Sequence, residues 1–394
     1  MLIVHPNNFL QGGQGENIRV IEIIKVLKDI GHEIDLFSYD NFSGSDSFID
    51  FDKLNSHGLI NNLYVYDFAE GYDDTKKPNK AQLSIDRIKQ MIQKGKSASN
   101  SQYLQDWAPL GACRLFSRIM ANNNYDVISL FYSYQANLLK DKRIQAKKVY
   151  FMEDSMFLQQ YSWDKDKPTK ITLGKLLDEE IARIQYFDEV FCISYDEKIM
   201  YEKFTGKHMQ FLPHIQSDSI VPISTPIENR RWDIMFIGFN NPFNVEGLNW
   251  FIREVFPHLS KDIKVVLVGS ATNELETTYG NIDIIPFAQD LDEIFNNVKI
   301  SICPMFRGTG MKIKVIEAMA RGLPIVCNDR GVDGLPDKTK SGCLVTQDAL
   351  EFAKYIGRLL EDRQFYMETV ECVYEYYRNN FDRSKYVELL HKVI

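Results

Sequence analysis

Arg307–Asn328, RGTGMKIKVIEAMARGLPIVCN, decides the fold of this 394-residue chain. It reads as a glycine loop, a helix, a glycine stop and a buried strand. Gly308 and Gly310 permit positive φ or close backbone approach, and the pattern predicts a helix from near Met311. A helix start exposes unpaired backbone N–H groups at the positive end of its dipole, which suits a diphosphate. Lys312 and Lys314 add positive charge beside it. Glu317 follows about two turns in, ahead of Ala318 and Ala320, whose small side chains allow close packing. Gly322 suits the position just past a helix, Pro324 blocks continuation and LPIVC supplies the next strand. Amides and lysines for phosphates, with one carboxylate for ribose hydroxyls, would fit a nucleotide. A purely structural loop-to-helix turn shares the spacing, because any α/β domain contains such turns.

Strands and helices alternate on either side of this unit. Asp233–Ile237, Lys264–Val268, Ile282–Ile285, Ile300–Pro304 and Pro324–Cys327 read as strands, with helices over Val245–Leu259 and Leu291–Asn297. A second series opens the chain. Leu2–Val4 is a short strand, HPNNFLQGGQGEN a loop, and Asn17–Ile30 an amphipathic helix with Val20, Ile23, Ile24 and Leu27 on one face. Gly31 ends it and Glu33–Phe37 is the next strand, which argues for a parallel sheet. Leu63–Tyr66, Val127–Leu130, Lys148–Met152 and Glu189–Ser194 continue the series. Between the two series, VPISTPIENRR (Val221–Arg231) has two prolines and no apolar periodicity, as a linker does. The expected fold class is therefore α/β, two Rossmann-like doubly wound domains facing a cleft. The expected division is residues 1–221, a linker over 222–231, a second domain over 232–380 and a closing helix over 381–394. The cleft is the default ligand site.

Composition narrows the function. Hydrophobic residues make up 44% and charged residues 25%, as in a soluble globular protein. A formal net charge of −8 gives no bulk electrostatic case for nucleic acid. The six cysteines lack CxxC or metal-finger spacing; Cys192, Cys303 and Cys327 sit in apolar runs and read as buried thiols. This favours a reducing compartment. MLIVHPNNF lacks the basic start and apolar core of a signal peptide, and no apolar stretch reaches the roughly 18–20 residues of a membrane span. The expected location is cytoplasmic, extending to the inner face of the membrane. Residues 73–101 are polar and lysine-rich, read as an insertion with a helix over Lys80–Lys94. Its lysines suit either docking on an anionic membrane surface or a solvated loop.

The Arg307–Asn328 run resembles the donor-binding segment of GT-B glycosyltransferases of the GT4-like group (glycosyl transferases group 1). Those enzymes carry a glycine-rich loop, then a helix with a glutamate followed by Ala-Met-Ala-x-Gly and an apolar strand. The resemblance is strongest over Trp232–Leu335, fair over the first forty residues and weak over 41–145. It implies that Gly308, Thr309, Gly310, Met311, Lys312, Lys314 and Glu317 bind the donor, with Glu317 on the ribose hydroxyls and Lys312 also catalytic. Relatives carry a second glutamate eight positions earlier, where this chain has Thr309. In the first half, Gly12-Gly13 match a Gly-Gly pair that faces the donor phosphates and the acceptor. Gly238, in IGFNNPFNVEGLNWF, matches a donor loop where relatives have an arginine and a lysine; here Asn240 and Asn244 stand instead. Phe287, in PFAQDL, falls in a turn that meets the nucleobase through its backbone in the family, with Ser270 nearby.

Glu153-Asp154 follow the VYFM strand, where relatives often have a His-Asp pair touching the donor sugar or the acceptor. Paired acids there could orient a hydroxyl or take its proton, and Asp154 and Glu153 are the candidate catalytic acids; solvated acids after a strand are the alternative. His214, in Leu212-Pro213-His214, reads as a packing or hinge residue. The resemblance implies a hexosyltransferase that retains anomeric configuration in polysaccharide biosynthesis. Its donor would be a nucleotide diphosphate sugar, UDP in preference to GDP, and its acceptor a glycan, lipid-linked or protein hydroxyl. No cofactor and no metal are expected, since no Asp-x-Asp motif stands at a strand end near the cleft and helix dipole and lysines can supply the charge. The rival readings are a nucleotide-sugar 2-epimerase and a non-catalytic partner subunit of another glycosyltransferase.

Overall fold

Val127–Leu130 (VISL) and Val265–Val268 (VVLV) are buried at every position, the mark of strands covered on both faces by crossover helices. The computed structural model describes residues 1–6, 9, 15–40, 58–68, 103–164, 171–216, 220, 222–275, 280–308 and 310–394. In the first half, β1 (Leu2–Val4), β2 (Asp35–Asp40), β3 (Leu63–Asp67), β4 (Val127–Leu130), β5 (Lys147–Met152), β6 (Glu189–Cys192) and β7 (Gln210–Phe211) form one sheet. Its order is β3-β2-β1-β4-β5-β6-β7, and every neighbouring pair is parallel. The second half pairs β8 (Trp232–Ile237), β9 (Val265–Val268), β10 (Ile282–Ile285), β11 (Val298–Cys303), β12 (Ile325–Cys327) and β13 (Leu344–Val345). Its order, β10-β9-β8-β11-β12-β13, is again all parallel. Both orders reverse beside the first strand, between β1 and β4 and between β8 and β11. Those reversals are the switch points where open α/β sheets take ligands.

Helices fill the crossovers: α1 (Gly15–Asp29), α2 (Leu110–Asn122), α3 (Met156–Asp164), α4 (Leu173–Ile184) and α5 (Tyr195–Thr205) in the first half. In the second are α6 (Pro242–Trp250), α7 (Leu291–Asn296), α8 (Ile313–Ala320), α9 (Ala349–Glu361), α10 (Arg363–Phe381) and finally α11 (Arg383–Val393). The apolar stripe of α1, Val20, Ile23, Ile24 and Leu27, is fully buried. In β8 and β9 the two-residue period splits the side chains between faces. Met235, Val266 and Val268 join one core, and Ile234, Phe236, Val265 and Leu267 the other.

Three expectations shift. The second strand begins at Asp35 rather than Glu33, because Gly31 turns at φ 101° and the Met1 ammonium takes the Glu33 carbonyl at 2.8 Å. The helix expected over Val245–Leu259 is α6, capped by Asn241, then a π turn (Phe251–Val255) and a 3-10 turn (Phe256–His258). Pro257, which has no N–H to donate, falls in that last turn. The linker-like segment is docked: Arg230 binds the Val298 carbonyl and the Tyr366 hydroxyl, and Ile223 N donates to Arg321 O. The helix expected over Lys80–Lys94 lies outside the described residues. After the second sheet the chain returns, and Tyr386 and Leu390 of α11 bury in the first half's core. Among the described residues no helix is long and apolar enough to cross a membrane.

Candidate active site

The second half's site is built where β8, β9 and β11 end. Gly269 turns there at φ 97°, and a Cβ on it would lie 2.3 Å from Gly238 O, so these two strand ends meet through bare backbone. α6 is seated as closely on the end of β11: a Cβ on Gly247 would lie 1.9 Å from Pro304 O. That seating aligns the loop after β8 with the glycine loop after β11. Their meeting point is one ammonium. Lys314 Nζ donates to Asn244 Oδ1 at 2.7 Å and lies 4.9 Å from the Phe236 ring centroid.

α8 begins at Ile313, two residues beyond Met311, with Lys312 at the N-cap in extended conformation and no side chain capping the first turn. Gly308 and Gly310 turn at φ 106° and 66°, and Lys312 Nζ donates to Gly310 O at 3.1 Å. Burial lowers the proton affinity of both lysines; nearby Cys303, Asp333, Asp154 and Glu197 oppose this at Lys312. Glu317 is half-buried, which pushes its carboxyl up from the ordinary value, while Arg321 pulls it down. Arg307 is held at the rim by Glu246 at 2.8 Å. Phe287, after β10, is 79% exposed, and Phe239, after β8, is 50% exposed. Gly12, Gly13 and Thr309 lie outside the described residues.

The first half presents the turn after β5. A Cβ on Gly310 would lie 3.7 Å from Glu153 O and 4.0 Å from Asp154 Oδ1, so the glycine loop abuts this turn across the cleft. The two acids part there. Glu153 is buried and accepts from Arg19 Nε at 2.8 Å. Burial pushes its carboxyl up from the ordinary value and Arg19 opposes that. Asp154 Oδ1 accepts from Ser155 N at 2.8 Å. His214 is buried and neutral, its imidazole pushed down to about 3 by burial and by the charge of Arg19.

Sequence reasoning missed the groups that hold this turn. Arg19 is fully buried and also donates to Pro213 O at 2.6 Å. Glu180 is fully buried beneath the turn. Its Oε1 accepts from Met156 N at 3.1 Å and Ser133 Oγ at 3.2 Å. Its Oε2 accepts from Phe157 N at 2.8 Å and the Tyr201 hydroxyl at 2.9 Å. Its oxygens thereby take up two free backbone N–H groups at the start of α3. A signal existed in the sequence: Leu176, Glu180, Arg183 and Ile184 share the buried stripe of α4, so two charges sit where apolar residues belong. The halves are also tied directly. Tyr195 N donates to Gly334 O at 2.9 Å and Gly334 N to Asp196 Oδ2 at 3.0 Å.

Two Rossmann-like sheets with a glycine-loop helix on one side of the cleft and an acid-bearing turn on the other define the GT-B fold of glycosyltransferases. Residues 231–362 match the family model described as glycosyl transferases group 1. An uncharacterized 44.6 kDa protein in the cps region of Klebsiella pneumoniae is 23% identical over 299 residues, covering 68% of this chain and 74% of that protein. Among solved structures, sucrose-phosphate synthase from Thermosynechococcus elongatus is similar with TM-score 0.68 and 14% identity, over 100% of this chain and 97% of that one. Anabaena HepE in complex with UDP-glucose is similar with TM-score 0.64 and 12% identity, over 100% and 99%. The family match thus covers part of the second half, and the solved structures share the fold over the whole chain.

Proposed function

We propose that this chain moves a hexose from a nucleotide diphosphate sugar, UDP in preference to GDP, to an acceptor hydroxyl. The observation that carries this reading is the seat made by Gly308, Gly310, Met311, Lys312 and Lys314, facing Asp154 across the cleft. The uncapped start of α8 and the two ammonium groups would hold the diphosphate and stabilise its charge as the glycosidic bond breaks. The Glu317 carboxylate, which accepts no hydrogen bond from the described residues, would bind ribose hydroxyls. Gly238 and Phe287 would line the nucleoside end, and Gly12 and Gly13 the phosphates from the opposite side. With the leaving diphosphate on the same face as the incoming hydroxyl, the sugar would keep its anomeric configuration, and Asp154 would orient that hydroxyl. Lysines and dipole supply the charge that a metal would otherwise bring. UDP is favoured by the UDP and UDP-glucose complexes of HepE, and polysaccharide assembly by the cps-region relative. The acceptor would be a glycan, lipid-linked or protein hydroxyl reached from the cytoplasmic side.

A thermal-shift panel of UDP, GDP, ADP and their sugar conjugates tests the reading, with Glu317→Ala alongside. A ligand well above its Kd stabilises by a few kcal/mol, about 2.7 kcal/mol at a hundredfold excess over Kd. One nucleotide class should raise the melting temperature of the wild type and raise it less in Glu317→Ala. No shift with any nucleotide would favour a non-catalytic partner subunit. Turnover of a UDP-N-acetylhexosamine without acceptor would favour a 2-epimerase.

A further inference from the structure

Arg321 caps the C-terminal end of α8 one turn past Glu317, and the transfer outlined above does not use it. Its side chain is 7% exposed and crosses to α7. There Nη2 donates to Asp292 Oδ1 at 2.5 Å, and the guanidinium carbon lies over the Phe295 ring, 4.0 Å from its centroid. Nη1 donates back to Glu317 O at 3.4 Å. The Arg321 carbonyl accepts from Ile223 N at 3.1 Å, which fixes the backbone as well. One cation therefore joins the helix that carries Glu317 to the helix that follows β10.

α7 continues the turn that carries the exposed Phe287. Asp290 starts the helix by accepting from Asp292 N at 2.8 Å and Glu293 N at 3.3 Å. The residue whose N–H closes the turn is thus the residue whose carboxylate takes Arg321. Ala288 and Leu291 also pack against the core that holds Ile316 and Met319 of α8. Apolar contact of that kind is non-directional. A planar guanidinium that stacks on one ring and donates in its own plane to one carboxylate sets a position. As a bare positive charge at the end of α8 a lysine would serve the helix dipole equally well, but a lysine cannot stack and donate in this way.

We propose that Arg321 is a positioning residue for the nucleoside: by clamping α7 to the end of α8 it sets the distance between the turn at Phe287 and the Glu317 carboxylate. This rests on the nucleotide-sugar reading, in which the turn meets the base and Glu317 the ribose. Base and ribose are joined by one covalent bond, so the two contacts form together only at one separation. A loosened clamp lets either contact form at the expense of the other. The diphosphate seat, at the opposite end of α8, keeps its own ties from Lys312 to Gly310 and from Lys314 to Asn244.

The test is a double-mutant cycle in UDP affinity, measured by calorimetry on the full chain as wild type, Arg321→Lys, Glu317→Ala and the two combined. Arg321→Lys should weaken UDP binding by at least about fivefold, the lower end of coupling between linked groups. In the Glu317→Ala background the same substitution should weaken it by less than about twofold, since the ribose contact it positions is already gone. An equal loss in both backgrounds would show a general disturbance of α8 and overturn the inference, as would wild-type affinity in Arg321→Lys. Should Arg321→Lys not fold, Asp292→Asn takes its place in the cycle and is read in the same way. UDP that fails to bind wild type would defeat the nucleotide reading itself; UDP that binds wild type but gives an additive cycle defeats this inference alone.

Discussion

Lys314 Nζ lies 2.7 Å from Asn244 Oδ1, which joins the donor helix to the loop after β8 through one ammonium and one neutral amide. Had an acid stood at 244, the ammonium would be neutralised. With asparagine it is oriented and keeps its charge, and among the described residues Lys314 forms no ion pair. Lys314→Gln should therefore weaken UDP binding by about 1.5–3 kcal/mol, the usual worth of a charged hydrogen bond. That is roughly ten- to hundredfold in Kd by calorimetry. Unchanged affinity would remove Lys314 from the phosphate site.

How far this site could be read from sequence depended on how local its signals are. The loop, helix and strand of Arg307–Asn328 announce themselves within one window, because glycine, helix and proline rules act over a few residues. β7 and β13, of two residues each, escaped that reading, since pairing with a neighbouring strand defines them and no periodicity can. The same holds for Glu153 and Asp154. Adjacent in sequence, they look like a catalytic pair, yet Arg19, 134 positions away, takes Glu153 into the core. Glu180 was hidden for the same reason, as its partners are distant backbone and hydroxyl groups.

The Arg19–Glu153 pair is buried at both ends, with side-chain exposures of 0% and 6%. Removing one partner of such a pair strands the other in a poor solvent. Arg19→Met should cost about 3–5 kcal/mol of stability in urea unfolding. The double variant Arg19→Met with Glu153→Gln should recover part of the loss. A double variant as unstable as the sum of the singles would mean that the two groups do not act as a pair.

Gly247 is required by proximity rather than by φ. A Cβ 1.9 Å from Pro304 O meets backbone, which cannot rotate away, so α6 must lift from β11. Gly247→Ala, which would gain helix propensity on an exposed surface, should instead lose about 1–3 kcal/mol through overpacking. Because α6 carries Asn244, UDP binding should weaken as well, and both are read from thermal unfolding with and without UDP. An alanine variant as stable as wild type would contradict the close seating of α6.

Glu180 ties stability to pH. Burial pushes its carboxyl up to about 7, against the pull of the Phe157 and Met156 amides, the Tyr201 hydroxyl and the Ser133 hydroxyl. The folded chain thus holds this proton more tightly than the unfolded chain, where glutamate titrates near about 4.3. The stabilisation is complete below the unfolded value and is lost as pH rises through about 7; across that window it is on the order of 3 kcal/mol. Glu180→Gln cannot titrate, and its amide leaves one of the four bonds poorly made, so it should be less stable than wild type near pH 5. Raising the pH to 8 should then narrow the gap, because only wild type loses stability through this group. Urea unfolding of both proteins at pH 5, 6, 7 and 8 measures the gap, run in a Glu197→Gln background because the Glu180 charge also acts on the Glu197 carboxyl. Parallel curves across this range would show that Glu180 stays ionised in the fold, held by its hydrogen bonds against the cost of burial.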